Sequence, residues 1–261
     1  MSTVETVLLN LALANLLVLL SRGVPDILFV FGAGNIFSDI LCKIIYFVHI
    51  SFRAHALCLT CFLSTFQCVS VTATNKKWLQ LKAKMQKYVL TIIIFFCVTS
   101  MASSVDLIFF SSARKNATNT ENSIILGYCI EVLPSNIILD IIGYLVLARD
   151  LIFVITMSCF SFYLLAVLYQ HKQKVKGIRS SDRNMESTAE NQAAKTVITL
   201  VVLYTLFFGI GTAIWFYQVV SETSFSAAPV IRNFFSMCYA AFFPLVIITF
   251  NRKIQHKLNH C

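Results

Sequence analysis

Leu8-Leu9-Asn10-Leu11-Ala12-Leu13-Ala14-Asn15-Leu16-Leu17 is the centre of an apolar stretch near 4–31. A helix rises about 1.5 Å per residue, so about 20 such residues cross the hydrocarbon of a bilayer. Five more stretches of the same kind follow, near 42–73, 88–112, 137–170, 195–219 and 229–250. The first, second and fourth exceed a bilayer and are expected to protrude or tilt. Composition points the same way. The 261 residues are 57% hydrophobic and 13% charged, with mean hydropathy +0.76, whereas a soluble domain carries about 25% charged residues. A water-soluble core cannot absorb that excess of Phe, Leu, Ile and Val, and lipid can. The expectation is an all-α membrane protein, one helical bundle over 1–261, with no Pro/Gly/Ser linker to divide it.

The net charge of +9 does not mark a nucleic-acid binder. The basic residues gather between apolar stretches: Lys76, Lys77, Lys82, Lys84 and Lys87; then Lys172, Lys174, Lys176, Arg179, Arg183 and Lys195; then Arg252, Lys253 and Lys257. These runs hold 14 of the 21 Lys and Arg residues. That is the bias of cytoplasmic loops, so the loops after spans two, four and six face the cytoplasm and the others face outside. The sequon Asn116-Ala117-Thr118 then falls in an exterior loop, as a glycosylated asparagine must. Cys42 and Cys129 also lie on the oxidising side and can pair. Cys58, Cys61, Cys68, Cys97, Cys159 and Cys238 lie within spans and read as small core hydrophobes. The Cys58/Cys61 CxxC has no second pair and sits in a helix, so it is not a metal or redox site.

Parity has a further consequence. An interior C-terminus after six spans puts Met1 in the cytoplasm, where Glu5 offers no positive anchor and no signal-peptide pattern appears. The expectation is either a six-span protein or a sequence lacking its first span. The residues bear on this choice. Span one contains Leu8–Leu17 followed by Ser21-Arg22-Gly23-Val24-Pro25. Span two ends Thr60-Cys61-Phe62-Leu63-Ser64-Thr65-Phe66-Gln67-Cys68-Val69-Ser70-Val71, with Trp78-Leu79-Gln80-Leu81-Lys82 soon after, and the chain closes Phe250-Asn251-Arg252-Lys253-Ile254-Gln255. Together these resemble the vomeronasal type 1 receptor family, and in detail its fish relatives, the class A-related olfactory receptors. The resemblance runs over essentially the whole chain.

That resemblance implies a rhodopsin-like seven-helix fold in which the blocks above belong to the second and third helices, so six spans are present and the first is lacking. It implies a receptor in the plasma membrane of sensory neurons, coupling odorant or pheromone binding to a heterotrimeric G protein, with no cofactor. Phe66-Gln67-Cys68 stands where a D-R-Y motif would sit, and Phe243-Pro244-Leu245-Val246-Ile247 where N-P-x-x-Y would. Both departures are shared with vomeronasal-type receptors.

Ionisable groups at membrane depth are costly and usually face the bundle interior. The outer halves of the spans hold Arg22 and Asp26, then His49, Arg53 and His55, then Arg149 and Asp150, with Arg232 at the outer start of span six. Four arginines against two aspartates suggest a cavity of positive potential. A small anionic ligand held by Arg53 and Arg149 is expected, with His49 and Asp150 nearby, because the guanidinium fork pairs carboxylates bidentately. Trp215 and Tyr217 can wall the same cavity, although aromatics at span ends are often interface anchors. The plainer alternative has Arg53 and Arg149 pairing with Asp26 or Asp150 as internal bridges. On the cytoplasmic side, the loops 74–87 and 171–194 and the tail offer Gln67, Lys76, Lys77, Lys172, Lys174, Lys195 and Arg252 to a G protein, beside anionic lipid. A lone Cys261 is a weak palmitoylation signal. No catalytic motif appears, and His171, His256 and His260 form no metal set. A transporter is the structural alternative, opposed by scarce Gly and Pro and no duplicated spans; a bitter-taste-type receptor is the alternative within receptors.

Overall fold

The computed structural model describes residues 2–73, 75–113, 123–126, 128–132, 136–175, 184–221 and 228–250. Helix α1 (Thr3–Val30) opens with a capping box. Ser2 Oγ accepts from the Glu5 amide at 3.2 Å, and the Glu5 carboxylate accepts from the Ser2 amide at 2.9 Å, so two amides of the first turn are satisfied. It closes on Gly32 at φ 86°, whose amide bonds the Phe29 carbonyl while the Ala33 amide reaches Leu28. This pair of bonds around a left-handed glycine stops the helix. Ser38 caps α2 (Asp39–Thr72) by accepting from the Leu41 amide at 3.3 Å.

After α2 come α3 (Lys76–Lys87), α4 (Val89–Ala102) and the short α5 (Asp106–Phe110), then β1 (Ser111–Ala113), β2 (Ser123–Leu126) and β3 (Cys129–Val132). Three long helices complete the chain: α6 (Asn136–Val175), α7 (Asn184–Ser221) and α8 (Ala228–Phe250). Helix α2 is the centre of the bundle. Its most apolar window is 83% buried, against 22–28% for the comparable windows of α1, α6 and α7. Leu57, Leu59 and Leu63 of α2 pack with Leu11 of α1, Met157 of α6 and Leu200 of α7 in one core. Meanwhile Leu9, Leu13, Ile94, Phe95, Phe162 and Leu245 point outward. In water so broad an apolar surface is untenable, and in lipid it is the expected exterior.

The six expected spans are not matched one for one. Among the described residues four helices are long and apolar enough to cross a membrane, and five if the α3–α4 pair, bent by 66°, counts as one. In α8 the apolar helical segment is the shorter run Phe234–Thr249. The third span, expected to reach 112, stops at Ala102. There the Ser103 and Ser104 hydroxyls both donate to the Ser100 carbonyl, at 2.9 and 3.1 Å, and such side-chain bonds compete with the helical ladder. The expected loop 74–87 is instead largely a helix, since its Lys, Leu, Gln, Ala and Met residues are all good helix formers. Likewise, the expected loop 171–194 is partly absorbed by α6 and α7.

The strands form one antiparallel sheet in the order β1-β3-β2. It is fastened to the start of α2 in three ways. A disulfide joins Cys42 to Cys129, the Ala113 amide donates to Asp39 Oδ1 at 2.7 Å, and Tyr128 stacks on Phe37 with ring centroids 4.1 Å apart. The sheet therefore covers the end of the bundle where α1 finishes and α2 begins.

Polar side chains knit the interior. Ser64 of α2 donates to the Met157 carbonyl at 3.2 Å and lies 3.0 Å from Ser161 Oγ of α6. Thr60 of α2 and Tyr239 of α8 share a buried bond of 3.0 Å. Tyr239→Phe is expected to cost about 0.5–1.5 kcal/mol, read as a lower melting temperature in lipid nanodiscs. An unchanged melting temperature would show that the bond contributes nothing net.

Candidate ligand-binding site

Two polar clusters occupy the half of the bundle beneath the sheet. The first is built on Asp150 of α6, whose side chain is 2% exposed. One carboxylate oxygen takes Arg53 Nη2 of α2 at 2.6 Å. The other takes both Nε and Nη2 of the neighbouring Arg149, at 3.0 and 2.9 Å. Arg149 Nη1 also donates to Ser103 Oγ beyond α4 at 3.1 Å. An isolated carboxylate at this depth would be very costly, and two guanidiniums with direct hydrogen bonds make it tenable. Tyr204 of α7 faces Arg53 and Asp150, and its ring meets Tyr239 edge-on at 4.9 Å. Tyr239 in turn reaches Thr60, so side chains of α2, α6, α7 and α8 form one connected set.

The second cluster lies between α1, α2 and the sheet. Arg22 is 4% exposed, and its guanidinium lies 5.7 Å from the ring centroids of both Tyr46 and Tyr128. Burial pushes the Tyr128 hydroxyl well above its ordinary range, so the ring acts on Arg22 as a neutral π face. Asp26, one turn along α1, approaches Arg22 Nε only to 3.5 Å with its own side chain 44% exposed. His49 is 3% exposed, and neither ring nitrogen has a hydrogen-bond partner of standard geometry; the Val18 backbone of α1 is its near neighbour. The imidazole stands within electrostatic reach of both Arg22 and Arg53, which links the two clusters.

Of the residues expected at the site, the structure brings His49, Arg53, Arg149 and Asp150 together. It does not bring Tyr217, whose 63% exposure places it on the outside of α7; there it fits the alternative of an interface anchor. His55 is buried beside Phe52, with rings edge-on at 6.4 Å. The side chains of Trp215 and Arg232 lie outside the described residues. Sequence reading passed over Tyr46, Tyr128, Tyr204 and Tyr239. The available signal was a tyrosine in an otherwise apolar run, whose hydroxyl usually finds a polar neighbour when buried.

On the opposite side, Lys76, Lys77 and Lys195 are exposed. Gln67 is 4% exposed, so the expectation that it faces a partner is corrected: α2 is enclosed by its neighbours there as well. The side chains of Lys172 and Lys174, and Arg252 and Asn116 altogether, lie outside the described residues. Cys58, Cys61 and Cys68 are buried, whereas Cys159 faces outward rather than into the core.

The profile of the vomeronasal organ pheromone receptor family matches residues 2–260. The zebrafish (Danio rerio) protein named olfactory receptor class A-like protein 1 is 36% identical over 259 residues, covering 98% of this chain and 80% of that protein. Human vomeronasal type-1 receptor 3 is 27% identical over 202 residues, 77% of this chain and 65% of the human one. Mouse vomeronasal type-1 receptor 48 is 26% identical over 253 residues, 95% of this chain and 82% of its own.

Proposed function

Because the chain belongs to the vomeronasal type 1 receptor family, a family of multi-pass membrane receptors rather than enzymes, we propose that this chemosensory receptor detects a small anionic odorant or pheromone and activates a heterotrimeric G protein. The observation that supports an anion is the charge in the two linked clusters. Three guanidiniums (Arg22, Arg53, Arg149) face two carboxylates (Asp26, Asp150), which leaves one positive charge in excess. In surroundings of low dielectric such an excess attracts a negative ligand strongly.

In this reading α1, α2, the α3–α4 pair, α6, α7 and α8 are six spans that take the places of the second to seventh helices of a rhodopsin-like bundle. The sheet, with its disulfide, lies outside the cell, and Asn116 is glycosylated there. The exposed Lys76, Lys77 and Lys195 lie toward the G protein and anionic lipid, in the plasma membrane of sensory neurons. Tyr204 and Tyr239 would carry a rearrangement at Asp150 across to α7 and α8.

The test is a calcium-reporter screen of organic acids against amines of matched size in cells expressing the receptor. Acids are expected to act and amines to be silent. A response confined to amines would refute the anionic ligand, and ligand-driven solute uptake without calcium signalling would favour a transporter.

A further inference from the structure

We infer that the anionic group of the ligand is received by Arg22, with His49 beside it, and not by the Arg53–Arg149 pair; this rests on the anionic-ligand reading above. The two arginines around Asp150 are already engaged. Each oxygen of that carboxylate holds one of them at 2.6–3.0 Å, and a ligand carboxylate would have to displace a buried one from both. Arg22 has no carboxylate at such close range; its partners are the side chains of Tyr46 and Tyr128 and the more distant Asp26. Its Nε has no hydrogen-bond partner, and Asp26 stands 3.5 Å away with nearly half its side chain exposed. An incoming anion exchanges with that exposed carboxylate at small desolvation cost, whereas exchange at Asp150 strands a buried charge.

His49 gives an independent reason. A buried imidazole with neither nitrogen in a well-formed bond is unusual, and this one lies within electrostatic reach of Arg22 and Arg53. With only the Val18 backbone near it, the ring can turn an N–H to a ligand oxygen within electrostatic reach of both arginines. The exposed Asp26 marks the way in, and Tyr46 and Tyr128 against Arg22 suit a compact apolar body behind the charge. With a net charge of one to neutralise, the ligand class is a small monocarboxylate or monosulfonate.

The probes are benzoate, hexanoate and methanesulfonate, with benzylamine and benzamide as controls. Each is applied to receptor-expressing cells with a calcium reporter and to purified receptor in nanodiscs, where stabilisation against heat is read. For an acid that acts, Arg22→Gln is expected to raise the half-maximal concentration about ten- to a hundredfold, the loss of a charge-assisted bond, with Arg22→Lys in between. Asp26→Asn removes the competing carboxylate and is expected to lower it severalfold. That gain cannot come from misfolding, so it decides the matter if Arg22→Gln fails to reach the surface. Acids acting equally on the parent, Arg22→Gln and Asp26→Asn would overturn this inference and leave the anionic reading standing. Acids acting on none, by either readout, would overturn both.

Discussion

Asp150→Ala is expected to lower stability by about 3–5 kcal/mol, the largest loss for any residue of the polar interior. The carboxylate is 2% exposed and is the shared counter-ion of Arg53 and Arg149. Without it two guanidiniums converge on an apolar space with no compensating charge. Arg53→Ala is expected to cost distinctly less, since Asp150 keeps both of its bonds from Arg149. Melting of the two variants in nanodiscs, together with their surface expression, checks the ranking. Equal losses would mean that Arg149 alone does not hold Asp150.

Loss of the Cys42–Cys129 disulfide is the second large effect. The bond closes a sequence separation of 87 residues, and removing such a link costs about 2–5 kcal/mol. Cys129→Ala should therefore melt earlier than the parent, and reductant should lower the parent's melting temperature toward the variant's. The ligand response should weaken with it, because Tyr128, next in sequence to Cys129, packs its ring against Arg22. A parent indifferent to reductant would show that the other fastenings of the sheet suffice.

Much of this was legible in the chain itself. The family resemblance carried by the LALANLLVLLSRG and TCFLSTFQ blocks is borne out by the profile match over residues 2–260. Apolar length locates helices because burying backbone in lipid demands internal hydrogen bonds. Where the apolar run meets serines, as at Ser103 and Ser104, hydropathy does not register the competing side-chain bonds, so the expected third span outruns its helix. The site was half legible. Depth in the membrane marks Arg22, Arg53, Arg149 and Asp150 as inward-facing, but pairing depends on rotation about each helix axis. Arg149 and Asp150, adjacent in sequence, converge on one bridge, whereas Arg22 rests on two tyrosine rings and a more distant, partly exposed carboxylate. Tyr217 illustrates the same limit, since proximity to a span end does not tell which side of the helix a ring occupies.

The enclosure of α2 also constrains how the protein is made. Helix α2 carries His49, Arg53 and His55 and emerges from the ribosome before α6 exists. Throughout that interval Arg53 has no Asp150, and its cost in hydrocarbon is borne by the translocation channel or by water at its mouth. Lateral release of α2 into lipid is then less favourable by about 2.5–3.5 kcal/mol until synthesis has passed Asp150, 97 residues beyond Arg53, and α6 arrives. The Arg53–Asp150 pair therefore forms late, and Arg53 is expected to gain its counter-ion only when α6 joins α2.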